Sequence, residues 1–195
     1  VLSPDAGRAA YDAICAAVGD PRAGAAQAVA TAPDNKLAFA GAGLPWKGHT
    51  DLLAHLTGSR RAAMMFWSEP LKVVLATVHV PLADVCRILT SDLLDETIDL
   101  TAGGMPRFGI PRPRIALAGL NPHAGEEGLL GTEDEQVLRP TVARARARGV
   151  EISGPYPGDT IFVRASRGEF DVVIACYHDQ GLIPVKLLAI GESDN

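Results

Sequence analysis

Apolar residues in this chain come in short continuous runs rather than in alternation. The clearest are KVVLATV at 72–78, RIALAG at 114–119 and DVVIA at 171–175; AAMMFW at 62–67 and AVAT at 28–31 are weaker. A run that is apolar at every position has no face to give to water, which is the pattern of parallel strands covered on both sides. Polar-interrupted stretches with helical spacing separate the runs. Residues 4–18 are alanine-rich. Residues 51–57 follow Thr50, a possible cap, and stop before Gly58, and residues 84–89 and 91–101 repeat the helical pattern. The quartet Thr132-Glu133-Asp134-Glu135 reads as a capping box with acids at the positive helix end. The helix it opens is expected to kink at Pro140 and to close at Gly149. Arg144, Arg146 and Arg148 fall in its last turns and read as a solvated face. The Gly/Pro-rich piece 103–113 reads as a surface connection.

This alternation predicts an α/β fold, helices layered on both sides of a mostly parallel sheet. The 195 residues admit one large or two small domains with a real core. A net charge of −5 argues against a nucleic-acid partner, since phosphate binding needs a basic surface. No apolar run approaches the ~20 residues of a membrane helix, and no signal peptide opens the chain. Cys15, Cys86 and Cys176 are scattered and read as reduced thiols, so the expected location is cytoplasmic. The chain starts at Val1 without methionine and stops at Asn195 in a polar stretch, as a piece of a longer protein would. Neither Gly-x-Gly-x-x-Gly nor a P-loop occurs.

Histidine placement changes the picture. Of five histidines, His79, His123 and His178 each follow the carboxyl end of an expected strand. In open α/β sheets that edge is the ligand crevice. Three neutral imidazoles converging there would hold a divalent metal with positions left open for chemistry. The plainer reading is three separate polar loop residues. The segment GLNPHAGEEGLLG around His123 is a glycine-rich loop whose backbone can approach a ligand. His49 and Thr50, after Gly48 in WKGHTDLL, sit at a helix N-terminus, a ready anion site, unless Thr50 is only the cap. His55 is given no role. In ACYHDQGLIPVK, Asp179 is a proton acceptor or an orienting group, Gly181 lets the chain turn, and Pro184 stiffens the path to Lys186. Tyr177, Gln180 and Cys176 read as packing.

The pieces TAPDNK, GLPWKGHT, LATVHVPL, RFGI, PRIALAGLNPHAGEEGLLG, GPYPGDTIF and YHDQGLIPVK together resemble the 4-hydroxythreonine-4-phosphate dehydrogenase family of vitamin B6 biosynthesis, in the family's order and over nearly the whole chain. The resemblance implies an isocitrate/isopropylmalate-dehydrogenase-like fold with two domains around a cleft. Residues 1–47 would be part of the first, cofactor-side domain. Residues 48–195 would carry the metal and substrate residues and the dimer interface. It implies NAD or NADP with a divalent metal, Zn, Mg or Co, on His79, His123 and His178. Substrate contacts would come from His49, Thr50, Lys186 and Asn195. The catalytic proton would pass through Asp179, Asp159 or Lys186. The implied reaction oxidises 4-phosphohydroxy-L-threonine to a 2-amino-3-oxo acid, which decarboxylates to 3-amino-2-oxopropyl phosphate. The active site would be completed across a homodimer. Threonate or erythronate phosphates are alternative substrates. A metal-dependent hydrolase or aldolase, or a non-catalytic binding fragment, are alternative classes. The family's amino-terminal Gly-Asp-Pro-x-Gly-Ile-Gly and carboxyl-terminal Ser-Val-Asp-His-Gly-Thr-Ala segments are not in this sequence.

Overall fold

The apolar runs become the middle of a five-stranded sheet, seen in a computed structural model that describes residues 3–22, 24, 28–31, 36–46, 48–59 and 61–190. Asn195 and most of the TAPDNK segment lie outside the described residues. The chain forms two compact units, Val1–Ala62 and Ala63–Asn195. Helix α3 thus falls with the first unit, so this division comes later than the 47/48 boundary suggested by the sequence.

The first unit contains α1 (Pro4–Arg22), α2 (Lys36–Gly41) and α3 (His49–Thr57). Ile14, Val18, Phe39 and Leu52 are buried together and give it a small core of its own. Tyr11 stacks on Trp46, and Trp46 meets the His55 ring at 5.2 Å, so His55 packs as an aromatic. Helix α3 stops at Gly58, whose left-handed φ of 67° lets its N–H reach back to the carbonyls of Ala54 and His55. Residues 28–31 are irregular rather than a strand, in keeping with the weak β-preference of alanine.

The second unit contains β1 (Met64–Trp67), β2 (Lys72–Leu75), α4 (Leu82–Ile88), α5 (Ser91–Gly104), β3 (Ile115–Ala118), α6 (Arg139–Ala147), β4 (Ile152–Tyr156), α7 (Gly158–Ser166), β5 (Val172–Ala175) and α8 (His178–Ile190). The strand order is β1-β2-β5-β3-β4; β2, β5, β3 and β4 are parallel, and β1 pairs antiparallel with β2 at one edge. Side chains alternate across it. Val74, Ile115, Leu117, Val172 and Ile174 face α5 and α6. Val73, Leu75, Ala116, Val173 and Ala175 face α7 and α8. The expected three-layer α/β architecture is therefore present.

Three elements differ from the sequence reading. The strand β4 was hidden by Gly154 and Pro155, which look like a turn. As an edge strand it tolerates a missing N–H, and a Cβ on Gly154 would lie 2.5 Å from the Leu117 carbonyl oxygen. The segment after His178 is helical through Gly181 and Pro184 instead of turning. Gly181 serves close packing there: a Cβ would stand 2.6 Å from Leu75 and 3.1 Å from the Ala175 Cβ. The expected helix from Thr132 begins as a π-turn, Asp134–Leu138, and becomes α6 only at Arg139-Pro140. Arg144 and Arg148 are not merely solvated. They bind Asp95, and Arg148 also binds Asp99, tying α6 to α5.

At the opposite end of the sheet, Arg114 and Asp171 join the starts of β3 and β5. The Asp171 carboxylate accepts from the Arg114 backbone N–H at 2.7 Å and from its guanidinium at 2.9 and 3.0 Å. These bonds hold the Asp171 carboxyl below its ordinary pKa. A carboxyl depressed in the folded state stabilises the fold above its unfolded value, and that contribution is lost as pH falls through the folded value. Asp171→Asn is therefore expected to destabilise the protein at pH 7 by on the order of 1 kcal/mol, the pair being partly screened by solvent. Thermal melts should show the gap between variant and wild type closing below about pH 4. An equal gap at pH 7 and pH 3 would refute the ion-pair origin.

Candidate functional site

Parallel strands deliver their chemistry at their carboxyl ends, and β2, β5 and β3 run side by side with Leu75 opposite Ala175 and Leu117 opposite Ile174. His79 follows β2, His178 opens α8 directly after β5, and His123 lies in the turn after β3. His79 and His123 have left-handed backbones, with φ of 48° and 52°. Non-glycine residues are held there only where the surroundings over-determine them, which happens preferentially at functional sites.

Two cavities open at this edge and share Tyr177 and Asp179 in their walls. One, of about 450 Å³, is lined by His79, His178, Thr77 and Leu82. The other, of about 550 Å³, is lined by His123, Asn121, Asp159 and Ile183. The His79 and His178 rings are 5.5 Å apart. His178 Nδ1 lies 2.7 Å from Asp179 Oδ1, and a carboxylate in that position selects the Nδ1–H tautomer and leaves the Nε2 lone pair for a ligand. His123 Nδ1 is 3.7 Å from the Glu126 carboxylate. The three histidines thus share one edge but divide two and one between the cavities. Among the described residues, no three His, Cys, Asp or Glu side chains are gathered closely enough to hold an ion.

The remaining candidates are dispersed. Lys186 is exposed on α8 and lines neither cavity. Thr50 is not the helix cap: Gly48 occupies that position, His49 and Thr50 begin the first turn of α3, and no side chain caps it. Cys176 is buried and its thiol donates to the Ala118 carbonyl. Burial, and secondarily the nearby Asp134, push its pKa well up, so it stays a neutral core thiol beside the histidine.

The sequence reading missed the residues that fasten this edge. Gln180 Oε1 accepts from Cys176 N–H at 2.7 Å, and its Nε2 donates to the Gly119 carbonyl at 2.7 Å, joining the end of β5 to the end of β3. The Thr77 hydroxyl donates to the Cys176 carbonyl at 2.8 Å. Asp134 is fully buried and accepts from the backbone N–H groups of Leu120 and Asn121. The one available signal was an amide and an acid flanking glycine-rich loops, which polarity alone does not separate from capping.

Fold and edge together define an α/β domain whose parallel strand ends carry imidazoles and carboxylates around a ligand crevice. The profile of the family described as pyridoxal phosphate biosynthetic protein PdxA matches residues 1–195, and the chain belongs to that family. It is 46% identical over 194 residues to a 4-hydroxythreonine-4-phosphate dehydrogenase of Beijerinckia indica, covering 100% of this chain and 58% of the relative. It is 50% identical over 188 residues to a putative D-threonate 4-phosphate dehydrogenase of Bradyrhizobium diazoefficiens, covering 96% of this chain and 54% of the relative. The crystal structure of 4-hydroxythreonine-4-phosphate dehydrogenase from Klebsiella pneumoniae superposes with a TM-score of 0.94 at 44% identity, covering 98% of this chain and 58% of that one. The chain therefore spans a little over half the length of these relatives. No helix among the described residues is long and apolar enough to cross a membrane.

Replacing Gln180 by Leu keeps the volume but leaves the Cys176 N–H and the Gly119 carbonyl without their partner. The expected loss is about 2 kcal/mol, since unsatisfied buried backbone groups cost about 1–3 kcal/mol each and partial relaxation recovers some of it. Urea unfolding of Gln180→Leu measures this, and an unchanged midpoint would remove Gln180 from the account.

Proposed function

We propose that the protein to which this chain belongs oxidises 4-phosphohydroxy-L-threonine, with NAD or NADP as hydride acceptor and with a divalent metal, Zn, Mg or Co. The product is a 2-amino-3-oxo acid that decarboxylates to 3-amino-2-oxopropyl phosphate, a step of pyridoxal phosphate biosynthesis in the cytoplasm. The observation that carries this reading is the His79–His178 pair beside Asp179 at the strand edge of a chain matched along its length by the PdxA family. The donor chemistry, imidazoles of which one is oriented by a carboxylate through Nδ1, fits Zn or Co better than Mg. His79, His178 and His123 would hold the ion, which would supply a Lewis acid for the hydroxyl being oxidised.

The chain's own residues then have separable tasks. Asp179 is engaged with His178 and orients it. Asp159, which lines the His123 cavity together with Asp179, would be the second carboxylate and, with Lys186, a candidate to take the hydroxyl proton. His49 and Thr50 at the start of α3, with Lys186 and Asn195, would meet the phosphate and carboxylate of the substrate. Residues 1–47 would contribute to the cofactor side, and residues 48–195 would carry metal, substrate and dimer contacts. A second reading, oxidation of D-threonate 4-phosphate, is favoured by the 50% identity to the Bradyrhizobium relative.

A homodimer completes the site in this reading. Two features support it. The three histidines are not gathered within one chain. Val80, Leu82, Ile183 and Leu187 expose apolar surface around the same edge.

Full-length protein given Zn²⁺ or Mg²⁺, NAD⁺ and either phosphorylated substrate should produce NADH. His178→Ala should abolish both metal binding and turnover while the circular-dichroism spectrum is kept. Metal retention and turnover without any NADH would favour the hydrolase or aldolase class instead. A mixed-chain experiment tests the dimer. If His123 is donated to the His79–His178 pair of the other copy, chains carrying His79→Ala and His123→Ala, each inactive alone, form mixed dimers with one intact site and regain activity. Mixtures as dead as their parents would place His79 and His123 at a site in the same chain.

A further inference from the structure

We propose that Asp134 is a positioning residue that holds the turn carrying His123 in its ligand-presenting conformation; this rests on the metal reading of that histidine. The turn is unfavourable in isolation. From His123 to Glu127 every residue has positive φ, and four of them, His123, Ala124, Glu126 and Glu127, are not glycine. Side chains with a Cβ disfavour this backbone region at each such residue. The conformation survives only if its flanks are fixed.

The fixing comes from one carboxylate. Asp134 Oδ1 accepts from Leu120 N–H at 2.9 Å, and Oδ2 accepts from Asn121 N–H at 3.0 Å and from the Asn121 side-chain amide at 3.0 Å. The same amide nitrogen donates to Glu133 Oε2 at 2.8 Å. Asp134 is 0% exposed, so its charge is met by N–H donors instead of water, where such bonds are strong. On the other side, Gly119 closes on the turn. A Cβ there would lie 2.7 Å from the Ala124 Cβ and 3.0 Å from Asp134 Oδ1. The π-turn that begins at Asp134 places this carboxylate at the loop, and π-turns inside helices recur at functional sites. All three bonds to Asp134 go to the two residues that lead directly into the Pro122–His123 turn, so the carboxylate sets where His123 starts.

The test uses full-length protein with Co²⁺ as probe, titrated at a temperature where every variant is folded. Asp134→Asn puts an amide where two carboxylate oxygens accepted, and its NH₂ group opposes the N–H donors of Asn121. Co²⁺ affinity is expected to fall about 10–100-fold, with a changed visible absorption spectrum as one imidazole is lost. Amide hydrogen exchange at Leu120 and Asn121 should accelerate in the metal-free variant. Wild-type-like affinity, spectrum and exchange in Asp134→Asn would overturn the proposal. Should Asp134→Asn not fold, Asn121→Ala removes the side-chain tie alone and is expected to weaken Co²⁺ about tenfold; no effect there would reduce Asp134 to a purely structural residue. Wild-type protein that binds no Co²⁺ overturns the metal reading, and the exchange measurement then still decides whether Asp134 holds the turn.

Discussion

A strand buried on both faces must still satisfy its backbone where the ladder ends, and that requirement shapes everything above the sheet. Beyond Leu75, Ala175 and Ala118 a belt of hydrogen bonds continues the pairing. Ala76 and Thr77 donate to the carbonyls of Ala175 and Cys176, Cys176 N–H is taken by Gln180, Gln180 donates to Gly119, and Gly119 N–H reaches Tyr156. Water is excluded at most of these positions, so each partner must come from the protein. The belt fixes where the chain leaves each strand, and so where His79, His178 and the His123 turn begin. Chemistry at this edge is placed by backbone accounting before any ligand arrives.

That dependence explains what could be read from the sequence. Continuous apolar runs needed cover on both faces, so β2, β3 and β5 and the helical layers followed directly, and with them the shared edge of three histidines. The strand β4 could not be read because Gly154 and Pro155 carry a turn signal that only its edge position excuses. The helix α8 was hidden likewise. Gly181 signals a turn locally, yet the space above Val73, Leu75 and Ala175 admits a helix only if that position has no side chain. In both cases the deciding neighbour is distant in sequence. Gln180 and Asp134 were invisible for a related reason. A half-buried amide or a buried acid becomes meaningful only when the orphaned backbone groups it serves are known.

The site itself was readable as an edge and not as a geometry. Three histidines after three parallel strands is a statement about topology, and topology does not say which imidazoles meet. His79 and His178 follow adjacent strands, β2 and β5, and their rings approach. His123 follows β3, on the other side of β5, and its turn leads it into the neighbouring cavity with Asp159. A central strand flanked by two others can bring one neighbour's loop close to its own without bringing both. Tyr177 and Asp179, which follow β5, border both cavities for the same reason.

Rigidity is distributed unevenly across this edge. The His123 turn carries the larger conformational cost, because five successive positions, four of them not glycine, are left-handed. It is also the part held by a fully buried carboxylate. His178 needs less support, since it starts a helix continuous with the chain from β5 and is oriented by its immediate neighbour Asp179. A histidine set on a strained turn cannot drift toward a preferred backbone conformation without breaking the bonds around Asp134, whereas one on an exposed flexible loop would reorganise at each encounter. The cost of the left-handed turn is thereby converted into a defined direction for a side chain whose own ring remains exposed.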